Sequence, residues 1–311
     1  MIGIHSVLVI VDPTAQAHPA IDKAVSIALK CNARIELFAC ETRESRNVRY
    51  AAHLARGKGD FVLSLRAILE PLAERIRERG IDACIDTEYG DPLHTILHER
   101  VQRTCADLVV KDTHHHSLAK RTFITNTDWQ LIRGCAAPLL LTKPTPWRDA
   151  PVIAAALDPV HVNDKPAEFD QRILDWARLL STRLGGSLHA VHAYFPGALM
   201  AEVAGGFPPM ASLLDAQMLE QERAARLAVI EALTLPYGIA PEHLHLQMGV
   251  AVDVLPRVAA DIGADVLALG AISRSGLQRV FIGSTAETVL EHLPCDALIV
   301  KPTDFAAEMS F

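Results

Sequence analysis

The chain has 311 residues, half of them apolar, and a formal net charge of −7. That length predicts about two domains, each with apolar residues enough for a packed core. The acidic balance argues against broad nucleic-acid binding, and no apolar run reaches the ~18 residues that span a bilayer.

The N-terminus, "MIGIHSVLVIVD", lacks the basic stretch, apolar core and small-residue cleavage site of a leader, so a cytoplasmic protein is expected. Cysteines at 31, 40, 84, 105, 135 and 295 form no CxxC pair and are expected to be buried free thiols. The first strand is "VLVIVDP", which ends on Asp12 and Pro13. A helix-period segment, "AIDKAVSIALKCNA", leads to a second apolar run, "RIELFAC". A long amphipathic helix pattern covers residues 65–81, and a short run then ends at Gly90. Another helix leads to "ADLVVKD" at 106–112, a histidine-bearing loop, "DTHHHSLAK", and a capped helix at "TNTDWQ". The first half closes on "PLLLTKP" at Pro144.

The series then repeats. After the proline-rich linker at 144–151 come "VIAAALDP" to Pro159, "QRILDWARLLSTRLGG", "SLHAVHAY", a helix pattern over 225–239, a run to Gly249, "ADVLALG" at 264–270, and "ALIVKP" to Pro302. From Asp107 and Asp265 to Pro144 and Pro302 the copies keep one constant offset. Near-continuous apolar strands alternating with helices predict an α/β fold: two tandem doubly wound parallel five-stranded sheets with helices on both faces. The boundaries read as 1–146 and 151–311. The two units are expected to pack as an intramolecular pseudo-dimer, and the closing strand offers an edge for homodimerisation.

In such sheets a ligand sits beyond the carboxyl ends of the strands, where strand order reverses. That rule selects Asp12, Asp158, and the loops after Asp112 and Gly270. The loop after Gly270 reads "GAISRSGLQRVFIGSTAE". Gly270 lets a ligand approach the backbone. Gly283 precedes a helix start at Ser284 and Thr285, whose free N–H groups and dipole favour an anion. Ser284 and Glu287 equally form a capping box, so the residues alone leave phosphate binding and helix capping open. The stretch is neither a P-loop nor GxGxxG.

The repeat, the Asp after each first strand, and the pattern Gly270, Ser273, nine residues, Gly283-Ser284-Thr285 resemble the universal stress protein family in its tandem arrangement. The family signature has glycine where Ser273 stands. The resemblance implies ATP, or AMP or ADP, with Gly270, Ser273, Gly283, Ser284 and Thr285 along the phosphates. It further implies that Asp158 meets the nucleoside end and a main-chain group near Ala193, after the second strand, meets the adenine. In the first half the constant offset puts Asp112, His115, Thr125 and Asn126 at the signature positions. A carboxylate there repels phosphate, so the first half is expected to keep the fold without the nucleotide site. Its helix is expected to be capped by Asn126 or Thr127 with Gln130 completing a box.

Other constellations carry less. His114 and His116, with Asp112 or His94, have metal-ligand chemistry, although a histidine run in a loop is more often solvated. His189 and His192 read as core or edge residues. "FPGALMAEVAGGFPPM" looks like an inserted loop or lid, and the helix pattern after it is expected to face the core. No GxSxG or HExxH is present, and Asp12 and Asp158 belong to separate repeats. The resulting expectation is a regulatory, stress-response nucleotide-binding protein, at most a slow ATPase, with no nucleic-acid or membrane partner. A carrier of a non-nucleotide small molecule or lipid, and a structural interaction module, stand as alternatives.

Overall fold

The computed structural model describes residues 2–42, 65–90, 93–116, 121–160, 168–195, 216–271 and 284–303. The first half contains β1 (Ser6–Ile10), α1 (Pro19–Cys31), β2 (Arg34–Glu41), α2 (Leu65–Arg77), β3 (Ala83–Tyr89), α3 (Leu93–Thr104) and β4 (Leu108–Asp112). It continues with β5 (His114–His116), β6 (Arg121–Phe123), α4 (Asn126–Gly134) and β7 (Leu139–Thr142). The second half contains β8 (Val152–Ala156), α5 (Phe169–Leu184), β9 (Ser187–Tyr194), α6 (Ala216–Thr234), β10 (Leu244–Met248), α7 (Ala251–Asp261), β11 (Val266–Gly270), α8 (Ser284–His292) and β12 (Asp296–Val300).

Local chemistry explains the element ends. Helix α1 starts on Pro19 and stops at Asn32, which takes the left-handed conformation at φ 54°. Gly185 ends α5 in the same way at φ 70°. The first-half helix α4 departs from the expected cap. Thr125 is the cap, and its partner is Asp128: Thr125 Oγ1 accepts from Asp128 N at 3.2 Å and Asp128 Oδ2 accepts from Thr125 N at 2.8 Å. Asp128 is fully buried and also holds Lys111 Nζ at 2.7 Å. That ion pair selects Asp128 over Gln130 for the box. The three histidines at 114–116 form a strand rather than a loop, paired antiparallel to β6 with His115 opposite Thr122.

The ten other strands make one sheet in the order β10-β9-β8-β11-β12-β7-β4-β1-β2-β3. Each half has the doubly wound order 3-2-1-4-5, and its strands are parallel. The closing strands β7 and β12 pair antiparallel, with Leu140 opposite Leu298. The two expected five-stranded sheets are therefore fused into one. Each closing strand is wholly buried. Left as an edge it would present an apolar row with unpaired backbone groups.

Strand alternation divides the core. Val7, Val9 and Val11 face α1, α2 and α5, whereas Leu8 and Ile10 face the layer of α3, α4, α7 and α8. The repeat is visible in detail: Asp107 N donates to Ser6 O, and Asp265 N donates to Val152 O, at 3.0 and 2.8 Å. One helix differs from expectation. Of the 19 residues of α6 only Ile230 and Thr234 are buried, while Met218 and Val229 are exposed. Its apolar residues do not line one face, so it stands largely off the sheet. Among the cysteines, Cys40, Cys135 and Cys295 are buried free thiols, but Cys84 and Cys105 are exposed.

The seam between the halves is organised by Asp296, 2% exposed. Its carboxylate accepts from Lys23 Nζ at 2.9 Å, Lys143 N at 2.8 Å and Trp147 Nε1 at 2.8 Å. Lys23 Nζ, itself buried, donates further to Lys143 O at 2.7 Å. Thus α1, the linker and β12 share one charge pair. Lys143 and Lys301, equivalent in the two copies, are both buried, and burial lowers both ammonium pKa values, that of Lys301 to about 8. Breaking a buried pair leaves an uncompensated charge. Asp296→Asn is expected to cost about 3–5 kcal/mol of unfolding free energy, read by urea denaturation, whereas Lys23→Met with Asp296→Leu costs less than the single change.

Candidate functional site

Strand order reverses between β1 and β4 in the first half and between β8 and β11 in the second. These are the two switch-point crevices, and they are built differently.

In the first-half crevice Asp12 is turned back on its own loop: Oδ1 accepts from Thr14 N at 2.8 Å and Thr14 Oγ1 at 2.6 Å. Asp112, at the end of β4, accepts from Ala20 N at 2.7 Å and Thr142 Oγ1 at 2.8 Å. Ala20 is the second residue of α1, whose cap residue His18 makes no side-chain capping bond. The Asp112 carboxylate thus supplies the anion for that helix N-terminus from across the crevice. Burial pushes its pKa up, while the bonds from Thr142 and Ala20 pull it down.

In the second-half crevice Gly270 replaces that carboxylate. A Cβ built on Gly270 would lie 2.6 Å from Cζ of Phe169 and 3.0 Å from Cδ1 of Ile173. The glycine therefore has a packing reason of its own: the first turn of α5 lies against it. Asp158 follows β8 and is exposed, and its backbone N–H donates to Asp170 Oδ1 at 3.1 Å. Asp170 is buried in the first turn of α5.

Ala193 lies within β9, opposite Gln247 of β10, rather than after the strand. Val191 O faces β8 and accepts from Leu157 N at 2.9 Å, whereas Tyr194 O faces β10 and accepts from Gly249 N at 2.8 Å. By the period-two alternation of a strand, Ala193 turns its backbone groups to the β8 side, beyond the end of β8. Its main chain thus borders the crevice together with Asp158. Helix α8 begins at Ser284 and Thr285 and brings a helix N-terminus into the same half. Ser273 and Gly283 lie outside the described residues.

His192 was not singled out for the crevice by sequence, yet it joins β9 to the loop that carries Asp158. Its Nδ1–H donates to Leu157 O at 2.9 Å, and the ring is 2% exposed. Burial lowers its pKa, and Leu157 O and the Asp158 carboxylate pull it back up. Its signal in the sequence is faint, a polar residue among the apolar residues of "SLHAVHAY". Phe169 was equally illegible, because its contact with Gly270 crosses about a hundred positions.

Of the remaining candidates, His114 and His116 both lie in β5. Among the described residues no three His, Cys, Asp or Glu side chains are arranged to hold a metal ion. His189 sits at the opposite end of β9. Its Nδ1 is 2.9 Å from His245 Nε2, and its ring stacks on His243 at 4.0 Å. The matching first-half positions hold Glu36 and Asp86, both ion-paired to Arg100 of α3. No described helix among those residues is long and apolar enough to cross a membrane.

Two expectations follow. Gly270→Ala forces the Phe169 ring aside and is expected to destabilise the chain by about 1–3 kcal/mol, with part recovered in Gly270→Ala/Phe169→Leu, as read by thermal denaturation. Burial, then the charges of His243 and His245, push His189 down from its ordinary 6.5 to about 4. An unfolded imidazole takes a proton as pH falls through 6.5, but the folded one stays neutral until about 4. The stability contribution is therefore full above that upper value and lost as pH falls towards the lower one. The urea midpoint should drop across this window, and His189→Leu should flatten the drop.

The universal stress protein family model matches residues 3–143 and again 160–301. The chain is similar to universal stress protein E of Photorhabdus laumondii, 26% identical over 98% of this chain and 97% of that protein. A universal stress protein E homolog of Haemophilus influenzae is 30% identical over 67% of this chain and 66% of its own. A solved structure of a protein of unknown function from Pseudomonas aeruginosa superimposes with a TM-score of 0.76 at 26% identity, covering 98% of this chain and 95% of that one.

Proposed function

Because the chain belongs to the universal stress protein family, we propose that its second half binds ATP, or AMP or ADP, in the crevice between β8 and β11. The observation that carries this reading is the difference between the two crevices. In the first, the Asp112 carboxylate already sits at the N-terminus of α1 and takes the Ala20 N–H. In the second, Gly270 carries no charge, Asp158 and the Ala193 backbone border the crevice, and α8 supplies a helix N-terminus in the same half. A triphosphate is repelled from the one and finds donors in the other.

In this reading Gly270, Ser273, Gly283, Ser284 and Thr285 follow the phosphates. Asp158 accepts from the ribose hydroxyls, and the Ala193 main chain meets the adenine edge. The first half serves as a scaffold without a nucleotide. The role is that of a cytoplasmic regulatory binder. No residue in the crevice is assigned as a general base, so any hydrolysis is slow.

A second reading, a carrier of an apolar or lipid-like molecule, draws on the Phe169 ring set beside Gly270. Denaturing the purified protein and identifying what it releases by mass spectrometry separates the two. The expected result is an adenine nucleotide, together with saturable ATP binding by calorimetry that Gly283→Asp weakens at least about tenfold. A released lipid, or an ATP affinity that Gly283→Asp leaves unchanged, would sink the nucleotide reading.

A further inference from the structure

A cavity of about 520 Å³ lies between α1, the linker and the ends of α2 and α5. It is walled by both halves and by the segment that joins them, so only the tandem chain contains it. Its size falls within the range of small-molecule sites.

Its apolar wall is Leu29, Pro144, Pro146, Trp147 and Leu184. Leu29 is 46% exposed, an apolar side chain without a cover. The indole of Trp147 is fixed, because its Nε1 is committed to Asp296 at 2.8 Å. The wall is therefore formed in advance by the same carboxylate that closes the seam.

Four cations, Lys23, Lys30, Arg79 and Arg148, line the cavity against two carboxylates, Asp22 and Asp149. That local excess stands out in a chain of net charge −7. Lys23 is used by Asp296, and Arg148 gives Nε to Asp265 at 3.0 Å. Lys30 and Arg79 are exposed, and among the described residues neither has an ion-pair partner. Asp22 lies in the first turn of α1, where the helix dipole stabilises it. Lys30 is eight residues further along the same helix, about 12 Å away. Lys30 is thus well separated from Asp22 along α1.

We propose that this cavity binds a small amphipathic anion, with an aromatic body against Trp147 and a carboxylate, sulfonate or phosphate at Lys30 and Arg79. Indole stacking and charge-assisted hydrogen bonds from the two cations supply the recognition. The site is independent of the nucleotide crevice and of the reading given to it.

The test is a fluorescence titration of the full chain with 8-anilinonaphthalene-1-sulfonate, alongside its uncharged analogue N-phenyl-1-naphthylamine. The expected result is saturable sulfonate binding at one site that weakens with added salt. Lys30→Glu/Arg79→Glu should weaken it about tenfold while leaving the uncharged analogue unaffected. Both residues are exposed and without an ion-pair partner among the described residues, so the double variant should remain folded, with only the small loss that a reversed charge in the last turn of α1 brings. Circular dichroism and the melting temperature check this. Equal sulfonate affinity in the folded double variant, or equal loss of both probes, would overturn the proposal.

Discussion

One buried carboxylate holds the two halves of this protein in register. Asp296 opens the last strand of the second half, yet its partners are Lys23 of the first helix, the backbone of Lys143 just before the linker and the linker indole of Trp147. A charge so deeply buried is costly unless it is paired and every lone pair is used. Here it is paired with an ammonium that is also buried, and two further N–H groups complete it. Pulling the halves apart would strand both charges. The antiparallel pairing of β7 with β12 runs alongside, and it removes the apolar edge that each half would otherwise expose. The ten-stranded sheet depends on these two features together.

Within that frame the same topology has been put to two uses. In the first crevice a side chain of the protein plays the anion: Asp112 crosses from β4 to the N-terminus of α1. In the second crevice the equivalent position is Gly270, and α5 comes close enough for Phe169 to fill the room of a Cβ. The edge strands diverge too. Glu36 and Asp86 clamp Arg100 in the first half, whereas His189 stacks on both His243 and His245 in the second. Duplication has conserved the backbone ladder, seen in the paired roles of Asp107 and Asp265, and released the side chains at both ends of each sheet.

The apolar runs, their spacing and the constant offset between copies predict the strands, the helices and the doubly wound order, because these follow from local periodicity. Helix ends were legible where one residue type decides them, as at Asn32 and Gly185. They were less legible where a distant partner decides. Thr125 rather than Asn126 or Thr127 caps α4, because Asp128 is held by Lys111 from β4. The strand at His114–His116 depends on β6 as its partner. The apolar residues of α6 read as core, but the helix buries little. Hydrophobic composition without a coherent stripe does not fix which face packs.

The sequence by itself determined the α/β class, the tandem repeat, the reversal of strand order that creates two crevices, and the exchange of Asp112 for Gly270 between them. These properties live in periodicity and in repeated motifs, which need no knowledge of contacts across the chain. Only the tertiary structure decided that the two sheets are one and that Asp296 joins them. It alone placed Phe169 against Gly270, and it alone built a cavity from α1, the linker and α5. Each of these is a meeting of residues far apart in the chain, set by which surfaces could be buried together without leaving a charge or a backbone group unpaired.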